Sequence, residues 1–175
     1  MKKIKLFFFA FLLIPFVGFG QSIVDDYSVS INSLNNEIGE AEKKLNLLLD
    51  NSLFPSGNRA FIAANETAAE ELRSYQDSLI SEANSLDSLI KKNKKERFNL
   101  DITTQYQLHI GDISKNRSVQ IIAEYGDLDF KTIIEALNFE IVKEKKRKIV
   151  LLDKKNNLEV TVRKKRGEYF LKSKQ

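Results

Sequence analysis

The spacing of apolar residues changes along this chain, and each change marks an element boundary. Ile31, Leu34, Ile38, Ala41, Leu45 and Leu48 recur at alternating intervals of three and four, the pattern of a helix with one apolar seam. Asp25, Asp26 or Ser28 is placed to cap its start. Asn51 to Ala60, with Pro55 and Gly57, is a turn-rich break. A second helix is expected from about Phe61 to Arg97. Its stripe is Phe61, Ala68, Leu72, Tyr75, Leu79, Leu86 and Leu89, with Asn65 and Glu82 as polar interruptions. Two seamed helices joined by a short break predict an antiparallel hairpin. Folding at that break sets Leu48 near Ala64, and Ile31 near Leu79 or Ile80. Leu86, Leu89 and Ile90 then continue the stripe past the end of the first helix. Such an apolar run calls for a cover: the C-terminal domain, a second copy of the chain, or a partner protein.

After the charged stretch Lys91 to Arg97 the period shortens to two. Leu100, Ile102, Tyr106, Leu108 and Ile110 fall on one side and Asp101, Thr103, Gln105, Gln107 and His109 on the other, which predicts a half-buried strand. Gly111-Asp112 and Lys115-Asn116 mark a turn, and Val119, Ile121, Ala123 and Tyr125 a second strand, giving a hairpin. Asp129 is positioned to cap a short helix, Phe130 to Leu137, with Ile133, Ile134 and Leu137 on its apolar face.

The last third predicts a meander. Phe139 to Lys145, Lys148 to Asp153, Leu158 to Lys164 and Glu168 to Lys172 are separated by gaps of hairpin length. Ile149-Val150-Leu151-Leu152 is apolar on both faces and marks a covered, central strand. The fold class is therefore α+β: an N-terminal antiparallel helical hairpin, coiled-coil-like, followed by a small antiparallel β-sheet domain with one short helix. The corresponding divisions are 1–20, 21–98 and 99–175. The sheet domain is small for an independent core, so docking of the second helix would help it.

The first twenty residues have a different character. Lys2, Lys3 and Lys5 precede an apolar run from Leu6 to Val17, and Gly18-Phe19-Gly20 offers small residues where a signal peptidase reads. This is the pattern of a secretory signal cleaved after Gly20. A spanning helix needs about 20 apolar residues, and this run holds twelve. The expected location is the periplasm or the extracellular space, with no transmembrane span in the mature chain. The chain has no Cys, which excludes a disulfide framework and a lipid-anchored cysteine. The short Phe-rich run followed by Gln21 resembles signal peptides of the Bacteroidetes group.

Removing these residues changes the charge picture. The formal +4 of the whole chain includes three Lys from the leader. Residues 21–90 carry twelve acids against four bases, whereas residues 91–175 carry 21 bases against twelve acids, all of the excess lying after Glu140. Such asymmetry implies two different surfaces. The basic cluster is Lys146, Arg147 and Lys148 with Arg163, Lys164, Lys165 and Arg166. Hairpin geometry gathers both runs at one end of the sheet and sets Lys154 and Lys155 at the other. One reading is a solvated surface that blocks edge pairing. The other is attraction to an anionic envelope partner: headgroups, lipopolysaccharide, an acidic glycan or an acidic protein. Export argues against nucleic acid, and no aromatic interleaving suits base stacking.

Catalytic motifs are missing from the sequence. There is no phosphate loop, metalloprotease motif or nucleophile elbow. The single His109 lies among polar residues, and Asp127 and Asp129 read as turn and cap. No cofactor is implied, and the chain is expected not to be an enzyme. Asp77-Ser78-Leu79-Ile80 recurs as Asp87-Ser88-Leu89-Ile90. The repeat is either coincidence or, by its resemblance to the O-glycosylation acceptor of exported Bacteroidetes proteins, a pair of modification sites at Ser78 and Ser88.

The expected function is an exported, non-catalytic interaction or assembly protein of the bacterial cell envelope, its hairpin mediating assembly and its basic sheet docking to an anionic partner. Signal, hairpin and small β-body together resemble the Skp family of outer-membrane-protein chaperones, which would imply a trimeric periplasmic holdase. This chain departs from that plan, since its β-body follows the hairpin and its hairpin is acidic. A small inhibitor or immunity-type protein is a third reading.

Overall fold

The computed structural model describes residues 4–51 and 66–173. The turn-rich break from Ser52 to Ala60, and with it Phe61 and Asn65, lies outside the described residues. Two long helices, α1 (Ile4–Asn51) and α2 (Glu66–Ser114), are followed by β1 (Val119–Ile121), α3 (Phe130–Leu137), β2 (Glu140–Lys145), β3 (Lys148–Asp153), β4 (Leu158–Lys165) and β5 (Glu168–Ser173). The fold is α+β, with the helical hairpin preceding an antiparallel sheet. Its residues group into two compact units, Ser33–Lys95 and Met1–Asn32 with Glu96–Gln175.

In the helical unit the buried apolar residues, among those described, are Ile38, Ala41 and Ile90. Asn93, also buried, donates from Nδ2 to Glu37 Oε2 at 3.0 Å, and Lys94 reaches Glu42 at 2.8 Å. This register differs from the expected one, which would have set Glu37 level with the middle of the 70s. The displacement is about twenty residues, more than five helical turns. An a/d seam permits it because the apolar pattern repeats along both helices, so more than one pairing of the stripes brings apolar residues together. Nor does α1 begin at an aspartate: Asp25 and Asp26 lie inside it, and Ser28 Oγ donates back to the carbonyl of Val24 at 2.8 Å within the helix.

The larger correction concerns residues 100–110, which are helix and not strand. α2 runs unbroken to Ser114, and Phe98, Ile102, Tyr106 and Ile113 all enter the core of the sheet unit. Those positions are spaced by four, four and seven, one helical face. Leu108, which alternation placed inside, is 42% exposed, and Asp101, placed outside, is buried. The carboxylate of Asp101 is satisfied there by Gln105 Nε2 at 2.8 Å and by the backbone N–H of Glu124 at 3.1 Å. α2 ends at Asn116 in the left-handed conformation (φ 60°), with the N–H of Arg117 bonded to Asp112 O and that of Asn116 to Ile113 O. This is a Schellman cap. With a helix in its place, the expected hairpin between residues 100–110 and 119–125 does not form, and β1 is three residues that pair with β5.

The sheet has the order β1-β5-β4-β3-β2, antiparallel throughout. Strands β2 to β5 form the expected meander, each boundary within one residue of the sequence reading. β3 lies inside the sheet with Ile149, Val150 and Leu151 buried. One face of the sheet, through Ile149, Leu151, Val160, Val162, Tyr169 and Leu171, joins α2 and α3 in a single core. α3 starts at Asp129, whose carboxylate accepts the N–H of Thr132 at 2.7 Å while Thr132 Oγ1 accepts the N–H of Asp129 at 2.9 Å, a capping box. The edges are blunted: β1 is short, and β2 alternates Glu and Lys around a bulge between Ile141 and Lys143.

Candidate functional site

Two hairpin turns lie side by side at one end of the sheet because β3 and β4 are neighbours in register. Lys148 is paired with Arg163, and the N–H of Lys164 donates to the carbonyl of Arg147 at 3.2 Å. The turn between β2 and β3 is Lys146-Arg147, and that between β4 and β5 is Arg166-Gly167. Arg147, Lys164, Lys165, Arg166 and Gly167 line a cavity of about 500 Å³ there. The expected juxtaposition of the two basic runs is therefore present, with Lys154 and Lys155 at the far end of β3.

The electrostatics of this end are unbalanced. No carboxylate lines the cavity, and among the described residues no ion pair engages Lys146, Arg147, Arg163, Lys164, Lys165 or Arg166. Lys148 sits opposite both Arg163 and Lys145, like charges whose direct opposition weakens a sheet. Glu168 faces Lys165 across the β4–β5 pair. The ammonium of Lys164 lies 4.9 Å from the ring centroid of Tyr169. That ring is fixed, being buried and met edge-on by Phe130 at 5.1 Å.

Arg166 pays a conformational penalty to be where it is. Its φ is 55° and that of Gly167 is 91°, as a two-residue turn with both central residues left-handed requires. Asn or Gly adopts this conformation readily, whereas an arginine there costs about 1 kcal/mol. Turn formation alone does not call for arginine at this position.

No family model, no curated protein and no solved structure matches this chain. Its function has to be read from its own geometry.

The remaining candidate residues are dispersed. Within the helical unit Ile90 is buried, Leu86 half-buried and Leu89 42% exposed. Ser78 and Ser88 are exposed on α2, and Ser88 Oγ donates to the carbonyl of Asn84 at 2.8 Å. His109 and Asp127 are exposed, and Asp129 is the cap of α3. Among the described residues no cluster of three or more His, Cys, Asp or Glu is arranged to hold a metal ion, and no helix is long and apolar enough to cross a membrane.

A second cavity, of about 530 Å³, lies at the opposite end of the sheet, lined by Leu137, Asn138, Phe139, Glu140, Leu152, Asp153, Lys154 and Lys155. Both of its carboxylates are engaged, and Lys155 is the one basic lining residue without an ion pair among the described residues. Lys154 reaches Glu140 at 2.7 Å, and that hydrogen bond and charge raise the lysine's pKa. Asp153, buried, accepts the hydroxyl of Tyr106 at 2.7 Å, the side-chain amide of Asn156 at 2.6 Å and its backbone N–H at 3.1 Å. Strand alternation hides this network, because only as part of α2 does Tyr106 reach Asp153. Alternation does not single out Tyr169 beneath Lys164 either, although the two-residue turn and the resulting cross-strand pairing make it legible.

Proposed function

We propose that this protein is an exported, non-catalytic interaction protein of the bacterial cell envelope that docks an anionic partner at the basic end of its sheet. The observation that carries this reading is the cavity formed by Arg147, Lys164, Lys165 and Arg166, which gathers cations from two hairpins without a lining carboxylate. Like charges placed opposite one another, and an arginine held in a left-handed turn, are unfavourable for folding and favourable for attracting an anion. The N-terminal pattern of Lys2 to Gly20 supports export, and the helical hairpin supplies an elongated surface for assembly.

The test is co-sedimentation with the cell-envelope fraction at low and high salt, for the natural chain and for one in which Arg147, Lys164, Lys165 and Arg166 are all replaced by Glu. The expected outcome is retention at low salt, release near 0.5 M salt, where screening is effective within about 4–5 Å, and no retention of the variant. Undiminished retention of a folded variant would overturn the reading. Export is checked by the N-terminus of the accumulated protein, which should be Gln21.

A further inference from the structure

Resting on that reading, we infer that the cavity at the basic end of the sheet holds a phosphomonoester headgroup of an anionic membrane surface. Two arginines, Arg147 and Arg166, and two lysines, Lys164 and Lys165, line one cavity. Guanidinium forks match phosphate oxygens in bidentate geometry. A phosphomonoester carries between one and a half and two negative charges at neutral pH, more than a phosphodiester or a carboxylate, and suits a cavity with four cations and no acid.

The volume narrows the choice further. About 500 Å³ falls within the range of small-molecule pockets and far exceeds a bare ion, so there is room for the group that bears the phosphate. Gly167 contributes wall without a side chain, and an added Cβ there would meet nothing within 4 Å.

The surroundings favour a membrane over a soluble phosphate. Lys146 and Arg163 lie at the same end of the sheet but outside the cavity lining, and no ion pair engages either among the described residues. One soluble ligand seated within the cavity leaves that charge unused, whereas neighbouring headgroups of a surface engage it. Each Lys or Arg brought to an anionic leaflet adds about 1 kcal/mol. Cavity and rim thus divide the work: the cavity selects the headgroup and the rim supplies general attraction.

Vesicle co-sedimentation separates the two contributions. The protein, purified in the form the cell accumulates, is mixed with phosphatidylcholine vesicles carrying phosphatidic acid, a monoester, or phosphatidylglycerol, a diester, at matched surface potential. The expected result is roughly tenfold tighter binding to phosphatidic acid, the equivalent of about 1.4 kcal/mol. The double variant Arg147→Gln with Arg166→Asn should lose this preference, its phosphatidylglycerol binding falling only as far as the loss of any two cations from this end lowers it. Lys146→Gln with Arg163→Gln should weaken both by the same factor, and circular dichroism confirms that each variant folds. Equal binding to the two lipids would overturn the inference, yet leave the docking function standing if envelope retention is still salt-sensitive. Failure to bind either vesicle, or titration showing that glycerol phosphate binds as tightly as the vesicles, would overturn the membrane source.

Discussion

The hydroxyl of Tyr106 donates to the carboxylate of Asp153 across 2.7 Å, tying the C-terminal part of α2 to the end of β3. Burial opposes the charge on Asp153, but the hydrogen bonds of Asn156, Tyr106 and Lys155 outweigh it and hold the acid below its usual range. Tyr106 is shifted in the opposite sense: burial first, then its bond to Asp153, keeps it protonated well above the ordinary tyrosine value. Tyr106→Phe leaves a buried carboxylate one donor short and should cost about 1.5–3 kcal/mol in a urea titration.

The same carboxylate sets an acid limit. Its folded pKa lies below the unfolded value of about 3.9, so its contribution is fully present above that pH. Stability is lost as pH falls through the folded value. The urea midpoint of the natural protein should therefore fall more steeply under acid than that of Asp153→Asn. Equal slopes would show that other carboxylates carry the acid response.

Gly126 approaches Phe98 so closely that an added Cβ would lie 2.9 Å from the ring's Cδ2. Phe98 is buried in the core beside Ile102 and Tyr106, so the ring has little freedom to withdraw. Gly126→Ala should destabilise by about 1–3 kcal/mol, the range of overpacked cores. Adding Phe98→Leu should recover part of that loss, and a purely additive double variant would exclude the clash as its cause.

How much of this fold could be read in advance depended on whether local signals agreed. The strands β2 to β5 were legible because turns with few alternatives bracket each one, Arg166-Gly167 most plainly. Asp129 likewise announced α3. Residues 98–113 carried two patterns at once: Leu100, Ile102, Tyr106, Leu108 and Ile110 alternate, while Phe98, Ile102, Tyr106 and Ile113 trace a helical face. Packing of that face against the sheet decided between them, and no local residue could. The basic end was legible as charge gathered by hairpins. Its shape as a half-open cavity was not, since that depends on the pairing of β3 with β4.

The register of the helical hairpin offers a direct check, because the chain has no native Cys. Asn93 bonds to Glu37 at 3.0 Å, so Glu37→Cys with Asn93→Cys should be joined within one chain by a short bis-maleimide. Ile31→Cys with Leu79→Cys, the pair that a fold at residues 51–60 would bring together, should remain unlinked. The opposite outcome would restore the shorter hairpin.

Arg166 sets turn stability against charge, and the two should separate on substitution. Its left-handed φ of 55° is unfavourable for arginine and ordinary for asparagine, and Asn-Gly is the preferred pair for a turn of this type. Arg166→Asn should therefore raise stability by up to about 1 kcal/mol, read as a higher urea midpoint with unchanged slope. The same substitution removes one guanidinium from the cavity and should weaken envelope retention at low salt. A residue kept only as a soluble turn would gain stability with no loss of binding. Gain in one measurement and loss in the other would show that the strained arginine is there for the anion.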